Sequence, residues 1–259
     1  MFVLAWSSTA SATPKPLPFS YGADTNPKGT GEVEQYVDLV PARATSLENG
    51  NPADVLLPQL QTEIEWGLTN HVELALYATI VPSSPSNVTS VSAPTEHSGA
   101  KQRLRFRLFD EGVLPIDTGF YFEVVESTAE LELESKIILE KHFGRLRIGT
   151  NLWAEREQYF SGRGEWVLNP TLGAHVEIAP WLHVGAEGWM RVEFPDSLVG
   201  PRPFALGPHV YVGPTTLISF GRFWWSVGAY LRASDFGRSP DPGDSFGAVW
   251  VRTMLGVEL

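Results

Sequence analysis

The sequence predicts an all-β protein, a single transmembrane antiparallel up-and-down β-barrel of about twelve strands. The first observation is a polarity that alternates at every second residue over stretches of about ten residues, which is typical of strands with two different faces. The second is that the breaks between these stretches alternate between short and long. The third is that aromatic residues flank most of the short breaks.

The clearest alternation runs from Ala129 to Glu155. Glutamates and a lysine occupy one parity between Glu130 and Glu140, leucines and isoleucines occupy the other, and the pattern resumes after "KHFG". A tilted strand needs about ten residues to cross the hydrocarbon layer. In a membrane barrel the apolar face meets lipid and the charged face meets the lumen, so we expect that orientation here. The twelve predicted strands are Glu32–Val40, Leu60–Trp66, Val72–Ile80, Gln102–Phe109, Ile116–Val125, Glu130–Glu140, Arg145–Glu155, Leu168–Ile178, Leu182–Glu193, Phe204–Ile218, Phe223–Ala233 and Ala248–Leu259.

The breaks between the strands are sorted by length. The short ones are "GLTNH", "DEGVLP", "KHFG", "APW" and "FGR", and among the others only "ESTAE" is short. Outer-membrane barrels have tight periplasmic turns at one end and longer extracellular loops at the other. An even number of strands also places both termini at the short-turn end. The long breaks at 41–58 and 82–100 are rich in Ser, Pro, Asn and Ala and predict exposed loops.

Aromatic residues next to the short turns predict a belt at the membrane interface, where amphipathic rings collect. Aromatics are also common in strands generally, so this observation supports the barrel only together with the other two. The predicted lipid-facing girdle is Trp66, Phe109, Phe143, Trp181, Phe220 and Phe223.

The N-terminus predicts a secretory signal. Residues 1–12 hold a short apolar stretch and end in Ala10-Ser11-Ala12, an A-x-A cleavage pattern, although the charged start of a signal peptide is missing. We therefore interpret 1–12 as a truncated signal peptide, 13–31 as an extended lead-in and 32–259 as the barrel domain.

Charge and composition narrow the classes of partner. The net charge of −11 argues against binding to nucleic acid through its phosphates. The chain has no cysteine, which leaves no disulfide or thiolate chemistry and fits a bacterial envelope protein. Nothing in the sequence predicts a cofactor.

Two segments carry a resemblance to a known group of proteins. "PKGTGEVEQYV" and "LQTEIEWGLTNHVELALY" resemble a poorly characterised, porin-like and transporter-like group of Gram-negative outer-membrane β-barrels, in which "PKG" leads into the first strand and an "EYGLT"-like turn joins the second and third. The resemblance covers Pro27 to Leu259. It implies a location in the outer membrane, with lipid, lipopolysaccharide and the barrel-assembly machinery as partners, and it carries no catalytic residue. Such proteins often end in Phe, whereas this chain ends in Leu259.

The alternate strand positions that carry charged side chains predict which residues line the lumen and which of them are neighbours across strands. We expect Arg103 beside Glu123, Arg105 beside Tyr121, and Glu140 opposite Arg145, because opposite charges across strands are favourable. The predicted pore-lining residues are Arg103, Arg105, Arg107, Glu123, Glu130, Glu132, Glu134, Arg145 and Arg147.

Three functions fit these charges. An arginine row facing a glutamate row across a narrow pore predicts a channel for small polar or charged solutes. The same rows could form salt bridges that fill the lumen of a non-conducting structural or interaction barrel. A lipid-modifying outer-membrane enzyme fits least, since there is no G-x-S-x-G motif and strand alternation explains the paired glutamates. The sequence favours the channel.

The histidines offer a weak alternative site. His175, His183 and His209 share lumen parity on three consecutive predicted strands. His209 lies about a dozen residues from its short turn. At roughly 3.3 Å per residue this places it near the opposite rim of the barrel, so it cannot share a site with His175 and His183. His175, Glu177 and His183 remain as a weak zinc candidate, and we predict no resident metal.

Overall fold

The computed structural model describes residues 13–90, 98–196, 208–242, 244 and 246–259. Within them, thirteen β-strands form one sheet and no helix is long and apolar enough to cross a membrane. The predicted signal segment, residues 1–12, lies outside the described residues. The strands are β1 Gly31–Thr45, β2 Pro52–Thr69, β3 Val72–Ile80, β4 Gly99–Arg107, β5 Asp117–Ser127, β6 Glu130–Phe143, β7 Leu146–Tyr159, β8 Gly164–Leu168, β9 Thr171–Ala179, β10 Leu182–Pro195, β11 His209–Phe220, β12 Phe223–Arg232 and β13 Val249–Glu258.

The sheet closes on itself. All the strand pairings are antiparallel, and β1 pairs with β13 from Glu32 opposite Glu258 to Leu39 opposite Val251. Strands β8 and β9 both lie between β7 and β10, so together they make one strand of the wall and the barrel has twelve strand positions. The predicted all-β, antiparallel twelve-stranded barrel is therefore confirmed.

Strand β8 corrects one predicted break. Residues 164–167 were expected in a loop, yet Glu165 and Val167 are buried while Trp166 is 55% exposed, which is the alternation of a wall strand. The wall strand is interrupted at Asn169-Pro170, where proline offers no N–H for a ladder hydrogen bond. The sequence prediction began this strand only at Leu168 because it treated the glycine-containing stretch before it as a turn.

The β1–β2 hairpin corrects a second prediction. Residues 41–58 are mostly strand, because β1 runs to Thr45 and β2 starts at Pro52. The inward side of this extension is apolar. It therefore lacks the alternation of polar inner and apolar outer residues that marks the strands nearer the short turns. Val88 from the β3–β4 loop packs against this inner surface, and Thr89 N donates to Thr45 O at 2.8 Å. The described part of the predicted 82–100 loop thus lies against the hairpin at the long-loop end.

The outer surface is apolar and the interior is charged, which is the arrangement of a membrane barrel and the reverse of a soluble one. In β6, Leu131, Leu133 and Ile137 are exposed on the outside, whereas Glu132 and Lys136 are buried inside. The orientation expected from the alternation is confirmed for this hairpin.

Cross-strand register confirms two of the three predicted neighbours. Arg103 lies opposite Glu123 and Arg105 lies opposite Tyr121. The third prediction was wrong, because Glu140 pairs with Gly149 and not with Arg145. Gly144 and Arg145 form a two-residue turn in which Gly144 has a φ of 64°, a conformation that suits glycine at the first central position of a hairpin.

Candidate functional site in the barrel lumen

Residues 13–30, the N-terminal segment, lie inside the barrel. The segment leaves β1 at the short-turn end, runs inward to a turn at Pro18–Phe19, and comes back until Thr13 Oγ1 is 3.4 Å from Asn26 Oδ1. It therefore forms a re-entrant loop that enters and leaves at one end. The predicted lead-in of 13–31 is the occupant of the lumen.

Wall side chains take the place of a neighbouring strand for residues 19–26, the half of the segment that leads into β1. Asn151 on β7 accepts from Tyr21 N at 2.7 Å and donates through Nδ2 to Tyr21 O at 3.0 Å. These two bonds satisfy both backbone groups of one residue, as a sheet partner would. Three further backbone amides donate to wall carboxylates: Phe19 N to Glu187, Ala23 N to Glu140 and Asn26 N to Glu73.

Residues 13–18, the other half, are held by one buried ammonium group, that of Lys15. Lys15 Nζ lies 2.5 Å from Glu34, 2.9 Å from Glu65 and 3.5 Å from Glu63, and it donates to Tyr36 Oη at 2.7 Å. Burial disfavours the charged amine, but the three carboxylates outweigh burial and hold the pKa of Lys15 well above its usual value. The ammonium is therefore a fixed positive charge in an acidic part of the lumen.

The apex of the segment is held by aromatic packing. The ring of Phe19 lies 4.7 Å from Trp189, 5.2 Å from Tyr230 and 5.8 Å from Trp250, and the last two contacts are edge-to-face. The Arg252 guanidinium covers the ring at 3.9 Å. Such arrangements add to the burial of the ring itself.

The predicted arginine row lies inside, but its partners are on β2 and β3. Arg103 contacts Glu63 at 2.7 Å and Glu65 at 2.8 Å, and it also bonds Glu73, which Arg105 contacts at 2.8 Å. Both arginines are buried. Carboxylates on β2 and β3 therefore neutralise these two arginines, and a pore between the arginine row and the glutamates of β6 stays a prediction.

The predicted glutamate row lies on the inner side of β6, where Glu130, Glu132 and Glu134 are buried. Glu134 contacts Lys136 at 2.7 Å, and carboxylate oxygens of Glu132, Glu134 and Glu155 lie within 4.8 Å of one another. In the described interior, buried carboxylates outnumber buried lysines and arginines by fifteen to six. The lumen wall is thus strongly acidic.

Three of the other predicted site residues, all arginines, lie near the short-turn end. Arg107 is partly exposed and donates to Phe109 O, Arg145 is exposed in its turn, and Arg147 lies half-buried at the mouth. Glu123 is buried beside Tyr121. The six predicted girdle residues are all between 43% and 58% exposed, and their role as an interface belt stays a prediction, as does the role of the arginines and glutamates in lining a pore.

Two cavities lie on either side of the N-terminal segment. The larger, about 960 Å³, is a vestibule at the short-turn end that is lined by His175, Glu177, His183 and Arg222 together with the segment. The smaller, about 70 Å³, is deeper and touches Glu132, Lys136 and Trp153. Lys15, Ser20 and Tyr21 contribute to both, so the segment lies between them.

Sequence reasoning missed the residues that hold the segment. The stretch "PKPLPFSYG" has no period of two, because prolines keep it extended outside any ladder. One signal could have found it: counted over all twelve predicted strands, the inward-facing positions carry more glutamates than arginines and lysines, and a lysine flanked by prolines near an aromatic residue is a suitable counter-charge.

The chain matches no family model and no curated protein. An outer membrane channel from Pseudomonas putida F1 is 11% identical with a TM-score of 0.59, and the match covers 92% of this chain and 98% of the channel. The NanC porin is 9% identical with a TM-score of 0.55, and the match covers 88% of this chain and 100% of the porin. At these identities the likeness shows a shared fold, that of bacterial outer-membrane barrels, so the resemblance drawn from the sequence is confirmed at the level of fold.

Proposed function

We propose that this protein is an outer-membrane channel for small polar solutes, with a preference for cations, and that the N-terminal segment closes it in the conformation described. The observation that carries the proposal is Lys15. A single cationic side chain, on a segment that is not part of the wall, occupies a carboxylate site in the middle of the lumen.

Location in the outer membrane is supported by the apolar outer surface and by the fold. Leucine, isoleucine and aromatic side chains cover the outside of the strands, and closure of the barrel leaves no unpaired edge, as lipid requires. Heat-modifiable mobility on gels, and recovery with the outer-membrane fraction of a Gram-negative host, are the expected results.

Cation preference follows from the excess of buried carboxylates. Departure of the segment would remove Lys15 and leave that excess larger by one charge. Fixed charges in a narrow channel with low-dielectric walls bias ion entry by several kT. Solutes with an ammonium group are therefore the class that the site around Glu34, Glu63 and Glu65 would favour.

One observation favours a second function, a non-conducting structural barrel. Buried ion pairs link strands along the inner wall, such as Arg191 on β10 with Glu155 at 3.0 Å and Glu157 at 2.7 Å on β7, and they stiffen the wall. On this alternative the N-terminal segment is a permanent part of the core. Neither proposal assigns a catalytic residue.

Conductance in planar bilayers distinguishes the two. For the channel, we expect openings whose reversal potential in a salt gradient shows cation selectivity, and weaker selectivity after Glu132→Gln with Glu134→Gln. The matched control is Glu126→Gln on the exposed side of β5, which should leave selectivity unchanged. Inserted barrels that never conduct, even with the segment loosened by Lys15→Met, would leave the structural alternative.

A further inference from the structure

Two imidazoles meet on the inner wall of the vestibule. His175 on β9 and His183 on β10 have their Nδ1 atoms 3.3 Å apart, and their ring planes are inclined at 53°. Glu177 lies directly opposite His183 in the register of the two strands and lines the same vestibule. His209 is at the far end of the barrel and stacks on Phe246, as its distance from the short turn predicts.

The separation of the two nitrogens suits a shared metal ion. Zinc–imidazole bonds are about 2.0–2.1 Å long, and tetrahedral geometry then sets the two nitrogens about 3.3 Å apart. Imidazole and carboxylate are ligands that zinc and copper accept, and water from the vestibule can complete the coordination. A direct hydrogen bond between two neutral imidazoles is the competing explanation for the contact.

The surroundings keep the pair together and leave room beside it. Gly185 lies opposite His175, and a Cβ at that position would be 2.8 Å from the His175 Cβ, so a larger residue would push the imidazole away. Arg147 on β7 opposes a cation at this position, because it lies opposite His175 and lines the same vestibule.

We propose that His175 and His183 form a binding site for a divalent transition metal such as Zn²⁺ or Cu²⁺ at the short-turn mouth, with water from the vestibule completing the coordination. The site is independent of the proposed transport function, because both histidines belong to the wall and neither contacts Lys15 or Phe19. Arg147 limits its affinity.

Titration calorimetry of the full chain, refolded in detergent without a polyhistidine tag, tests the site with Zn²⁺ and Cu²⁺. We expect one saturable equivalent on the unmodified protein. His175→Ala and His183→Ala should each weaken binding by about tenfold or more, on the order of what loss of a metal-site group costs. Arg147→Gln should strengthen it.

The matched control is His71→Ala, since His71 is a half-exposed histidine at the same end of the barrel, beside Asp110. It should leave binding unchanged, and heat-modifiable mobility should show that every variant is folded. Absence of saturable binding to the unmodified protein, or binding that survives both histidine substitutions in folded barrels, would overturn the proposal and leave a hydrogen bond between imidazoles.

Discussion

The two sides of the lumen hold the N-terminal segment by different physical means. On β1–β4, charges surround Lys15, and each contact is an ion pair or a charged hydrogen bond. On β10–β13, three aromatic rings surround the Phe19 side chain and the Arg252 guanidinium covers it, so this contact depends mainly on packing. A buried ion pair is costly to break by removing one partner, because the remaining charge stays buried, whereas an emptied aromatic site loses packing only. The charged side should therefore be the more sensitive to single substitutions.

Lys15→Met should have the largest effect. It leaves Glu34 buried without an ion-pair partner, while Glu63 and Glu65 keep only Arg103, and removing one partner from a buried pair costs roughly 3–5 kcal/mol. The loss falls on docking of the segment, so the segment should become accessible to protease and channel openings should become frequent.

The control is Lys28→Met, because Lys28 is an exposed lysine of the same segment. It should leave both readouts as they are. Equal protease accessibility of the two variants would mean that the charges around Lys15 do not hold the segment.

Phe19→Ala should weaken docking less, by about 3 kcal/mol, the lower end of the cost of truncating a buried phenylalanine. The Trp189, Tyr230 and Trp250 side chains would keep their own contacts and partly fill the space. Open probability in planar bilayers should rise, but less than for Lys15→Met. Phe236→Ala, at a residue that is 78% exposed, is the control. A larger effect from Phe19→Ala than from Lys15→Met would invert the comparison.

Asn151→Ala should have the smallest effect of the three. It removes two hydrogen bonds to the backbone of Tyr21, each worth about 1 kcal/mol net. Water in the adjoining vestibule can replace part of that loss. Hydrogen exchange at the Tyr21 amide should speed up, with conductance nearly unchanged; unchanged exchange would show that this contact does not hold the segment.

The sequence predicts the wall much better than its contents. Period-two alternation specified the inner and outer sides of β6 and the pairing of Arg103 with Glu123, because register and parity are local properties of strands. It failed at Arg145, where a two-residue turn replaced the expected four-residue loop, and at β8, where glycine and arginine obscured a short strand.

The position of the N-terminal segment inside the lumen could not be predicted from strand alternation. Lys15 and Phe19 are on a segment without periodicity, and their partners come from strands more than a hundred residues apart in sequence, such as β1 and β10. Nothing local specifies such contacts. Only the excess of glutamates over arginines and lysines at the inward-facing positions of the twelve predicted strands pointed to a missing cation.

Closure of the barrel by the N-terminal segment is tested most directly by a reversible disulfide between that segment and the wall. Ser20 Oγ donates to Thr171 Oγ1 at 2.7 Å, so cysteines at these positions are close enough to form a disulfide between the segment and β9, and the chain has no other cysteine. The pair is placed in the Lys15→Met background, where openings should be frequent, with each single cysteine variant as a control. We predict that oxidation, verified by mass, abolishes conductance in the double variant alone and that a thiol reductant restores it. Conductance that persists in the fully oxidised double variant would contradict the account.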